Sequence, residues 1–431
     1  MEKFFELREK NTTVQREVFA GITTFLTMAY ILAVNPNMLG SIAGMPKEAI
    51  FTATAIASAV ATIVMAFAAN LPVALAPGMG LNAFFTYTVV FGMGYSWQVA
   101  LTAVFLEGVL FVILSLFNVR EAIIKAIPKN LKKAVAVGIG LFIALIGFNN
   151  AGIVVNDAGT IISFASITSG APLLAIIGLV IIAVLYVAKI PGSVLIGIIL
   201  TTIIGIPMGI THIDGFRPFS VPAAPLFFQF DFSPATIFTF KFFTVFFTFL
   251  FVDIFDTVGT LVGVTTQAKL IDDRGNIPNV KEALLSDAVG TVAGAALGTS
   301  TVTSYIESSA GVSAGGRTGL TSFTTGVLFL LALFLSPFFL LIPSAATAPA
   351  LIFVGFLMLQ PVTGIDFTDP TEGIPAFLTI VIMPFAYSIA DGIVYGIISY
   401  VILKFAGRKA NDVSLITWVL FVIFILHLIL K

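Results

Sequence analysis

Leu71-Pro-Val-Ala-Leu-Ala-Pro-Gly-Met-Gly-Leu-Asn-Ala-Phe-Phe85 interrupts an otherwise apolar stretch with two prolines and two glycines. The prolines lack the backbone N–H that a helix interior needs, and the glycines tolerate unusual dihedral angles. A continuous helix is therefore not expected here. We predict an extended stretch at 72–76 that leads into a short helix.

A second interruption of the same kind is Gly298-Thr-Ser-Thr-Val-Thr-Ser-Tyr-Ile-Glu-Ser-Ser-Ala-Gly-Val312. Its threonines and serines favour extended structure at 300–305, before Glu307. Irregular backbone at membrane depth survives only where it is buried in protein or lines a cavity. The two breaks predict adjacent extended stretches and two half-helices whose N-termini meet in mid-membrane. The alternative is a pair of kinked helices packed against their neighbours.

The composition is that of a membrane protein. Of 431 residues, 58% are hydrophobic and 10% are charged, whereas a soluble domain is about 25% charged. A formal net charge of -1 argues against a nucleic-acid partner, which would require a basic surface. The chain has no cysteine, so thiolate metal sites are excluded. His212 lies in an expected loop and His427 in the last apolar run, and we expect neither a metal nor a cofactor.

Apolar segments long enough to cross a bilayer, about 20 residues each, recur along the chain. The first seven are 18–38, 49–69, 79–95, 98–117, 134–152, 172–189 and 191–211. A second set is 241–263, 283–298, 307–316, 319–340, 345–360, 374–405 and 413–430. The run 374–405 is long enough to be a broken pair, and the count after residue 345 stays open. We predict an all-α polytopic membrane protein with about 14 transmembrane segments.

Basic residues indicate the orientation, because cytoplasmic loops are enriched in lysine and arginine. They cluster before the first segment, after the fourth and after the eighth: Lys3, Arg8, Lys10, Arg16, Arg120, Lys125, Lys129, Lys132, Lys133, Lys269, Arg274 and Lys281. A cytoplasmic N-terminus places all three clusters on one side of the cell membrane; the side of the C-terminus stays open. The predicted parts are a cytoplasmic N-terminus at 1–17, a first repeat at 18–211, an extracellular connection at 212–240 and a second repeat at 241–431.

An internal repeat relates the two sets of segments. A shift of 229 residues superposes five identical pairs: Ala59 and Ala288, Val60 and Val289, Thr62 and Thr291, Ala66 and Ala295, and Val73 and Val302. The same shift places Thr24 and Thr27 on Asp253 and Asp256. Identities among small residues are common in membrane helices, so the match gains weight only from the break in each half. An offset of seven segments, an odd number, inverts the second half relative to the first.

Acidic residues inside apolar segments are the candidate site residues. Asp253 and Asp256 have the i, i+3 spacing of one helix face, and an aspartate at mid-helix costs about 2.5–3.5 kcal/mol on translocon scales. They mark a wet cavity, or alternatively they bridge neighbouring helices. Glu307 begins the second half-helix, where it could instead simply complement the helix dipole. Asn82, in the first break, could also be an ordinary helix–helix hydrogen-bonding residue.

Four stretches follow one another along the chain as motifs: Thr12–Pro36, Ala76–Ala83, Val252–Thr260 and Thr303–Gly311. They resemble the nucleobase/cation symporter-2 superfamily, and within it the AzgA-like branch of adenine, guanine and hypoxanthine permeases. The resemblance covers essentially the whole chain.

The resemblance implies a uracil-permease-like fold of seven plus seven inverted segments, divided into a core and a gate domain, with a short strand in segments 3 and 10. It implies a substrate site at the two strands, formed by Asn82, Asp253, Asp256, Thr303, Glu307 and Ser308. Two departures weaken the transfer of uracil specificity. Thr257 and Thr260 replace the histidines of uracil permeases, and Ser308 stands where the superfamily usually has asparagine.

The expected function is secondary active import of a purine nucleobase by proton symport, with sodium as the alternative coupling ion. Glu307 would be the main hydrogen-bond acceptor for the base, and Asp256 or Asp253 would carry the proton. Which nucleobase is carried stays open, with uracil and xanthine as alternatives. The expected partners are the nucleobase and the lipid bilayer, with a homodimer as an open alternative.

Two other functions are less compatible with these residues. A carrier of a small anion such as sulfate would place its substrate beside three carboxylates with almost no cations among the spans. A membrane-embedded hydrolase would need a nucleophile and a base, and no histidine is near the aspartates in sequence. We therefore do not expect an enzyme.

Overall fold

The computed structural model describes residues 2–116, 128–157, 159–213, 216–271 and 277–430. Three members of the basic clusters, Arg120, Lys125 and Arg274, lie outside these residues. Nine helices in the described part of the chain are long and apolar enough to cross a membrane. Shorter apolar helices accompany them, and the prediction of a polytopic, mainly helical protein is confirmed.

The part of the chain before residue 206 contains eight α-helices and three strands among the described residues. They are α1 (Val14–Met28), α2 (Ile31–Leu39), α3 (Lys47–Val64) with a π-helical extension (Met65–Ala69), β1 (Leu75–Pro77), α4 (Met79–Ala83) continuing as a π-helix (Phe84–Gly92), α5 (Trp97–Leu116), α6 (Lys129–Asn150), β2 (Val154–Asp157), β3 (Ile161–Phe164), α7 (Gly170–Val187) and α8 (Ser193–Gly205).

The remainder contains one strand and ten α-helices in the ranges that the structure describes. They are α9 (Pro234–Ile237), α10 (Phe240–Gln267), α11 (Val280–Leu297), β4 (Val302–Ser304), α12 (Ser308–Ser313), α13 (Gly319–Ala332), α14 (Ser336–Leu340), α15 (Ser344–Leu357), α16 (Pro370–Phe385), α17 (Ile389–Ala406) and α18 (Leu415–Leu430).

The two sequence breaks form the two strands predicted in segments 3 and 10. β1 and β4 pair antiparallel, with Leu75 opposite Ser304 and Pro77 opposite Val302. The ladder begins a few residues later than the predicted stretch 72–76. One reason is that the carbonyls of the residues before it, Leu71 and Val73, accept hydrogen bonds from the Ser322 hydroxyl at 2.7 and 3.0 Å.

A second antiparallel pair, β2 and β3, was not predicted. It forms a hairpin between the predicted segments 134–152 and 172–189, with Val154 opposite Phe164. The turn is organised by Asp157, whose carboxylate accepts hydrogen bonds from the backbone N–H groups of Gly159 and Thr160 at 2.8 and 2.9 Å. Such local side-chain bonding stabilises a turn without any apolar core, which explains why the hydropathy pattern did not show it.

The helices pack into two bodies. In the core body α3, α10 and α11 contact β1 and β4, while α5 packs on α11, α13 on α3 and α1 on α13. In the gate body α6 packs on α15 and α16, α7 on α8 and α15, and α16 on α17. Glycines permit close helix contact in the gate body: a Cβ on Gly355 would lie 2.5 Å from the carbonyl oxygen of Gly140. This arrangement agrees with the predicted division into core and gate.

Two of the predicted segments are interrupted. The first consists of α1 and α2, which meet at Ala29 and Tyr30. The long run 374–405 is the broken pair α16 and α17, which meet at Tyr387, a residue with φ of 53°. Pro384 and the Ser388 cap of α17 promote this break. Since α18 follows, the second half contains one helical segment more than the seven predicted.

A buried ion pair holds the end of the gate body together. Lys404 of α17, 3% exposed, lies 2.7 Å from Glu372 of α16 and 3.6 Å from Asp412. Asn130 of α6 donates a hydrogen bond to the other oxygen of Glu372 at 2.9 Å. Three helices are thus joined through one carboxylate, 18% exposed, that pairs with a buried lysine.

Replacing Lys404 tests this joint. Lys404→Met leaves Glu372 without its cation, and we expect the free energy of unfolding to fall by about 1.5–3 kcal/mol, the contribution of a hydrogen bond to a charged group. Lys409→Met is the control, since Lys409 is half-exposed in its pair with Asp369 and an exposed pair contributes at most about 1 kcal/mol. Thermal unfolding of the purified variants measures both; equal losses would contradict the assignment.

Candidate substrate site at the paired strands

The paired strands are held from both sides by two threonines. Thr62 of α3 accepts a hydrogen bond from the Leu75 N–H at 2.9 Å and donates one to the Leu75 carbonyl at 3.1 Å. Thr291 of α11 does the same for Val302, at 3.3 and 3.0 Å. The two threonines are one of the identical pairs 229 residues apart. They replace the missing neighbouring strands, and they show the inverted repeat in the structure itself.

Beyond the ladder, one further hydrogen bond on each side brings the two breaks together. The Gly78 N–H donates to the Thr301 carbonyl at 3.0 Å, and the Tyr305 N–H donates to the Ala74 carbonyl at 2.9 Å. The chain then turns into α4 after Gly78 and into α12 after Glu307, which are the N-cap residues of these helices. Two short helices therefore begin at the strand pair.

Glu307 is contacted through its side chain by Tyr30, at the break between α1 and α2, and through its backbone by Thr27 of α1. The Tyr30 hydroxyl donates to Oε1 of Glu307 at 2.6 Å, and the Thr27 hydroxyl lies 3.3 Å from the Glu307 carbonyl oxygen. The carboxylate is partly exposed. Sequence reasoning did not identify Tyr30, because the α1–α2 break that positions it contains neither proline nor glycine.

Asp256 of α10 lies on the other side of the strands. Its Oδ2 atom is 3.6 Å from the position that a Cβ on Gly78 would occupy. The Thr303 side chain hydrogen-bonds to it, and the negative charges of Asp287 and Glu307 act on it. The structure thus brings together three of the predicted site residues, Asp256, Thr303 and Glu307.

Asp253 has different surroundings from Asp256, although the two are one turn apart. It is fully buried, and Thr257 lies between it and Asp287 of α11, with its hydroxyl 3.4 Å from Oδ1 of Asp253 and 2.6 Å from Oδ1 of Asp287. Asp287 and the buried Glu107, which accepts from Thr301 at 2.9 Å, were not identified from the sequence. Both lie within helices read only as apolar segments.

Asn82 and Ser308 are buried supports of the strand pair. Asn82 donates to the Pro77 carbonyl at 3.3 Å and accepts a hydrogen bond from Ser300. Ser308 accepts from the Ala74 N–H at 3.0 Å. Both side chains fix the backbone on which Glu307 and Asp256 depend. In the described part of the chain, no three His, Asp or Glu side chains are arranged to hold a metal ion.

Two sizeable cavities lie away from these carboxylates. One of about 630 Å³ is lined by residues that include Lys47, His212 and Arg217. The other, of about 520 Å³, lies between core and gate and is lined by residues that include Tyr87 and Tyr387. Asp256 and Glu307, each partly exposed, line neither of these two cavities.

Comparisons with known proteins agree with this architecture. Residues 15–395 match the model of a family described as the permease family. The chain is 44% identical over 429 residues to adenine permease AdeP of Escherichia coli strain K12, covering all of this chain and 96% of that protein. It is 47% identical over 438 residues to guanine/hypoxanthine permease PbuG of Bacillus subtilis strain 168, covering all of this chain and 99% of that protein.

Solved structures show the same fold at low sequence identity. The transmembrane domain of the cyanobacterial bicarbonate transporter BicA matches with a TM-score of 0.68 and 15% identity, covering 89% of this chain and 97% of that one. The murine anion transporter Slc26a9 in its inward-facing state matches with a TM-score of 0.64 and 12% identity, covering 91% of this chain and 68% of that one. The uracil-permease-like fold expected from the sequence is therefore confirmed.

The hydrogen bonds from Thr62 and Thr291 to the strand backbone can be tested by replacing each threonine. Thr62→Val and Thr291→Val each leave a buried strand N–H without a partner, so we expect each to lower the free energy of unfolding by about 1–3 kcal/mol. Thr201→Val is the control, because the buried Thr201 hydroxyl donates only to a carbonyl of its own helix at 2.6 Å. Equal stability of all three variants in thermal unfolding would contradict the role of Thr62 and Thr291 in holding the strands.

Proposed function

The chain belongs to the permease family of nucleobase/cation symporters, and we propose from this premise that it imports purine nucleobases across the cell membrane, with its N-terminus in the cytoplasm. The observation that carries the proposal is the position of two carboxylates beside the strand pair: Asp256, 3.6 Å from a Cβ built on Gly78, and Glu307, the N-cap of α12. Relatives named as adenine and guanine/hypoxanthine permeases support it at 44% and 47% identity over the full chain.

Glu307 is proposed to be the main acceptor for the base. A purine is flat and nearly neutral and carries N–H donors on its ring and amino groups, which a carboxylate accepts strongly. Oε1 of Glu307 is already bonded to Tyr30, so Oε2 is the oxygen proposed to bind the base. Thr303, beside Asp256, supplies a hydroxyl that can donate or accept.

Asp256 is proposed to carry the coupling proton. It lies in the field of two further carboxylates, Asp287 and Glu307, and protonation removes one negative charge from this group. Proton loading would therefore favour binding of a base that has electron-rich ring nitrogens. Rocking of the core against the gate would then expose the site on each side of the membrane in turn.

Anion transport is a second candidate, because the two similar solved structures are named as bicarbonate and anion transporters. That similarity shows the fold alone. The two partly exposed carboxylates of the site would repel an anion, since like charges at close range in low dielectric are strongly unfavourable. We therefore favour the purine over the anion.

Glu307→Gln tests recognition. The variant loses a charge-assisted hydrogen bond to the base, a loss of about 1.5–3 kcal/mol, which corresponds to roughly 10- to 150-fold weaker binding. We expect purine uptake in cells to be nearly abolished while the protein still inserts into the membrane, as judged by its amount in membrane fractions. Uptake equal to that of the parent would remove Glu307 from the site.

Asp256→Asn tests coupling. If Asp256 carries the proton, a protonophore should collapse accumulation by the parent. The variant should exchange labelled purine across proteoliposomes but not accumulate it, because its amide cannot take up and release a proton.

Asp253→Asn is the matched control. It makes the same chemical change three residues earlier, at a fully buried aspartate that contacts Thr257. It should keep proton-driven accumulation. The reverse pattern would exchange the roles of the two aspartates, and uptake that depends on sodium and ignores the protonophore would contradict proton coupling altogether.

A further inference from the structure

The inverted repeat places α1 and α10 in equivalent positions on opposite sides of the strand pair. Thr27 of α1 approaches the backbone of Glu307, the N-cap of α12. Asp256 of α10 faces Gly78, the N-cap of α4. Residues 27 and 256 are 229 positions apart, and so are residues 78 and 307. The two contacts are therefore the same contact made twice, once in each half.

Three residues further along the chain the two halves differ. Tyr30, two residues past the end of α1, is 1% exposed, and its ring fills the space beside Glu307, to which it donates its hydrogen bond. The residue 229 positions later is Gly259 in α10. Gly259 is exposed, and a Cβ added there would meet no atom within 4 Å. An aromatic ring therefore occupies this position in the first half, and the equivalent position at Gly259 in the second half is open.

The open place lies between core and gate and next to the two carboxylates. Gly259 follows Asp256 by one helical turn, so the two share a side of α10. Phe255, also one turn away, has its ring centroid 5.9 Å from the Lys132 ammonium of α6 in the gate body. On the same helix, a Cβ on Gly263 would lie 3.2 Å from Ile306, the neighbour of Glu307.

Backbone conformation does not explain the glycine. Gly259 lies within the 28-residue helix α10, and it is not among the glycines with positive φ. Glycine in a helix interior is less favourable than alanine. What the glycine provides is the absence of a side chain beside Asp256.

We propose that Gly259 determines which substrates fit, by leaving room beside Asp256 for a flat heteroaromatic ring in the place that Tyr30 fills in the other half. The inference rests on the proposed function, which it deepens by assigning the ring a position. The bare helix backbone at Gly259 lets the ring lie close to α10, with Asp256 on one side and the seam with the gate on the other. A side chain at 259 would compete with the ring for this space.

Cysteine labelling tests the position directly, because the chain has no cysteine of its own. In purified Gly259→Cys protein, a thiol reagent should react, and saturating adenine or hypoxanthine should slow the reaction several-fold. Ser166→Cys, at an exposed position after β3, is the control and should react at the same rate with or without the base. If neither base changes the labelling rate of the Gly259→Cys variant, the inference is overturned.

Substitutions of increasing size give an independent readout. Gly259→Ala should raise the KM for purine several-fold without lowering the unfolding temperature, since alanine is the better helix former. Gly259→Phe should abolish uptake in a protein that still folds. Val180→Phe adds a similar bulk at a position 56% exposed on α7 and should leave uptake unchanged.

The outcomes separate this inference from the proposed function. A parent protein that takes up no purine would refute the proposed function. Purine uptake by the parent, together with parent-like uptake by a folded Gly259→Phe variant, would refute the role of Gly259 alone.

Discussion

The backbone of β1 and β4 has to satisfy its hydrogen bonds inside a membrane, where water is scarce and each unpaired group is costly. Two strands of three residues cannot do so by pairing with each other alone. The protein completes them with Thr62 and Thr291, and with the buried side chains of Ser308 and Asn82. The helices α3 and α11 bring these threonines to the strands. The site therefore depends on a fully bonded interruption of two membrane helices.

The repeat builds a symmetric frame, and substitutions within it make the site asymmetric. Equivalent positions carry Thr27 and Asp256, and Gly78 and Glu307, so that the second half supplies both carboxylates and the first half neutral residues. A carboxylate at position 78 would have to fit against Thr303, where even a Cβ on Gly78 would clash. Because both carboxylates come from the second half, Asp256 and Glu307 lie in one cleft and not on opposite faces of the strand pair. A single substrate molecule can then contact both.

The gate body contributes shape to this cleft, together with the Lys132 ammonium of α6 that lies over the Phe255 ring. Its helices pack through glycines such as Gly140 and Gly355, and its one deeply buried lysine, Lys404, is paired with Glu372 away from the strands. A rigid gate beside a polar core is the arrangement that alternating exposure of a fixed site requires. The ring space beside Gly259 lies at the seam of the two bodies, where relative motion would open or close it.

The sequence by itself determined the membrane location, the two breaks, the repeat and the family, because each is written in local composition: apolar runs, Pro and Gly at the first break, Thr and Ser at the second, and four motifs in order. It also singled out Asp256 and Glu307, since carboxylates in apolar segments are costly wherever the segments pack. Only the tertiary structure decided the rest. Tyr30 hydrogen-bonds to Glu307, 277 residues away in sequence. Thr257 contacts both Asp253 and Asp287, which gives Asp253 different surroundings from Asp256. The space beside Gly259 is open, whereas the Tyr30 ring fills the equivalent space in the first half. These features depend on how two inverted halves pack against each other, and no local pattern records the distance between residues so far apart in the chain.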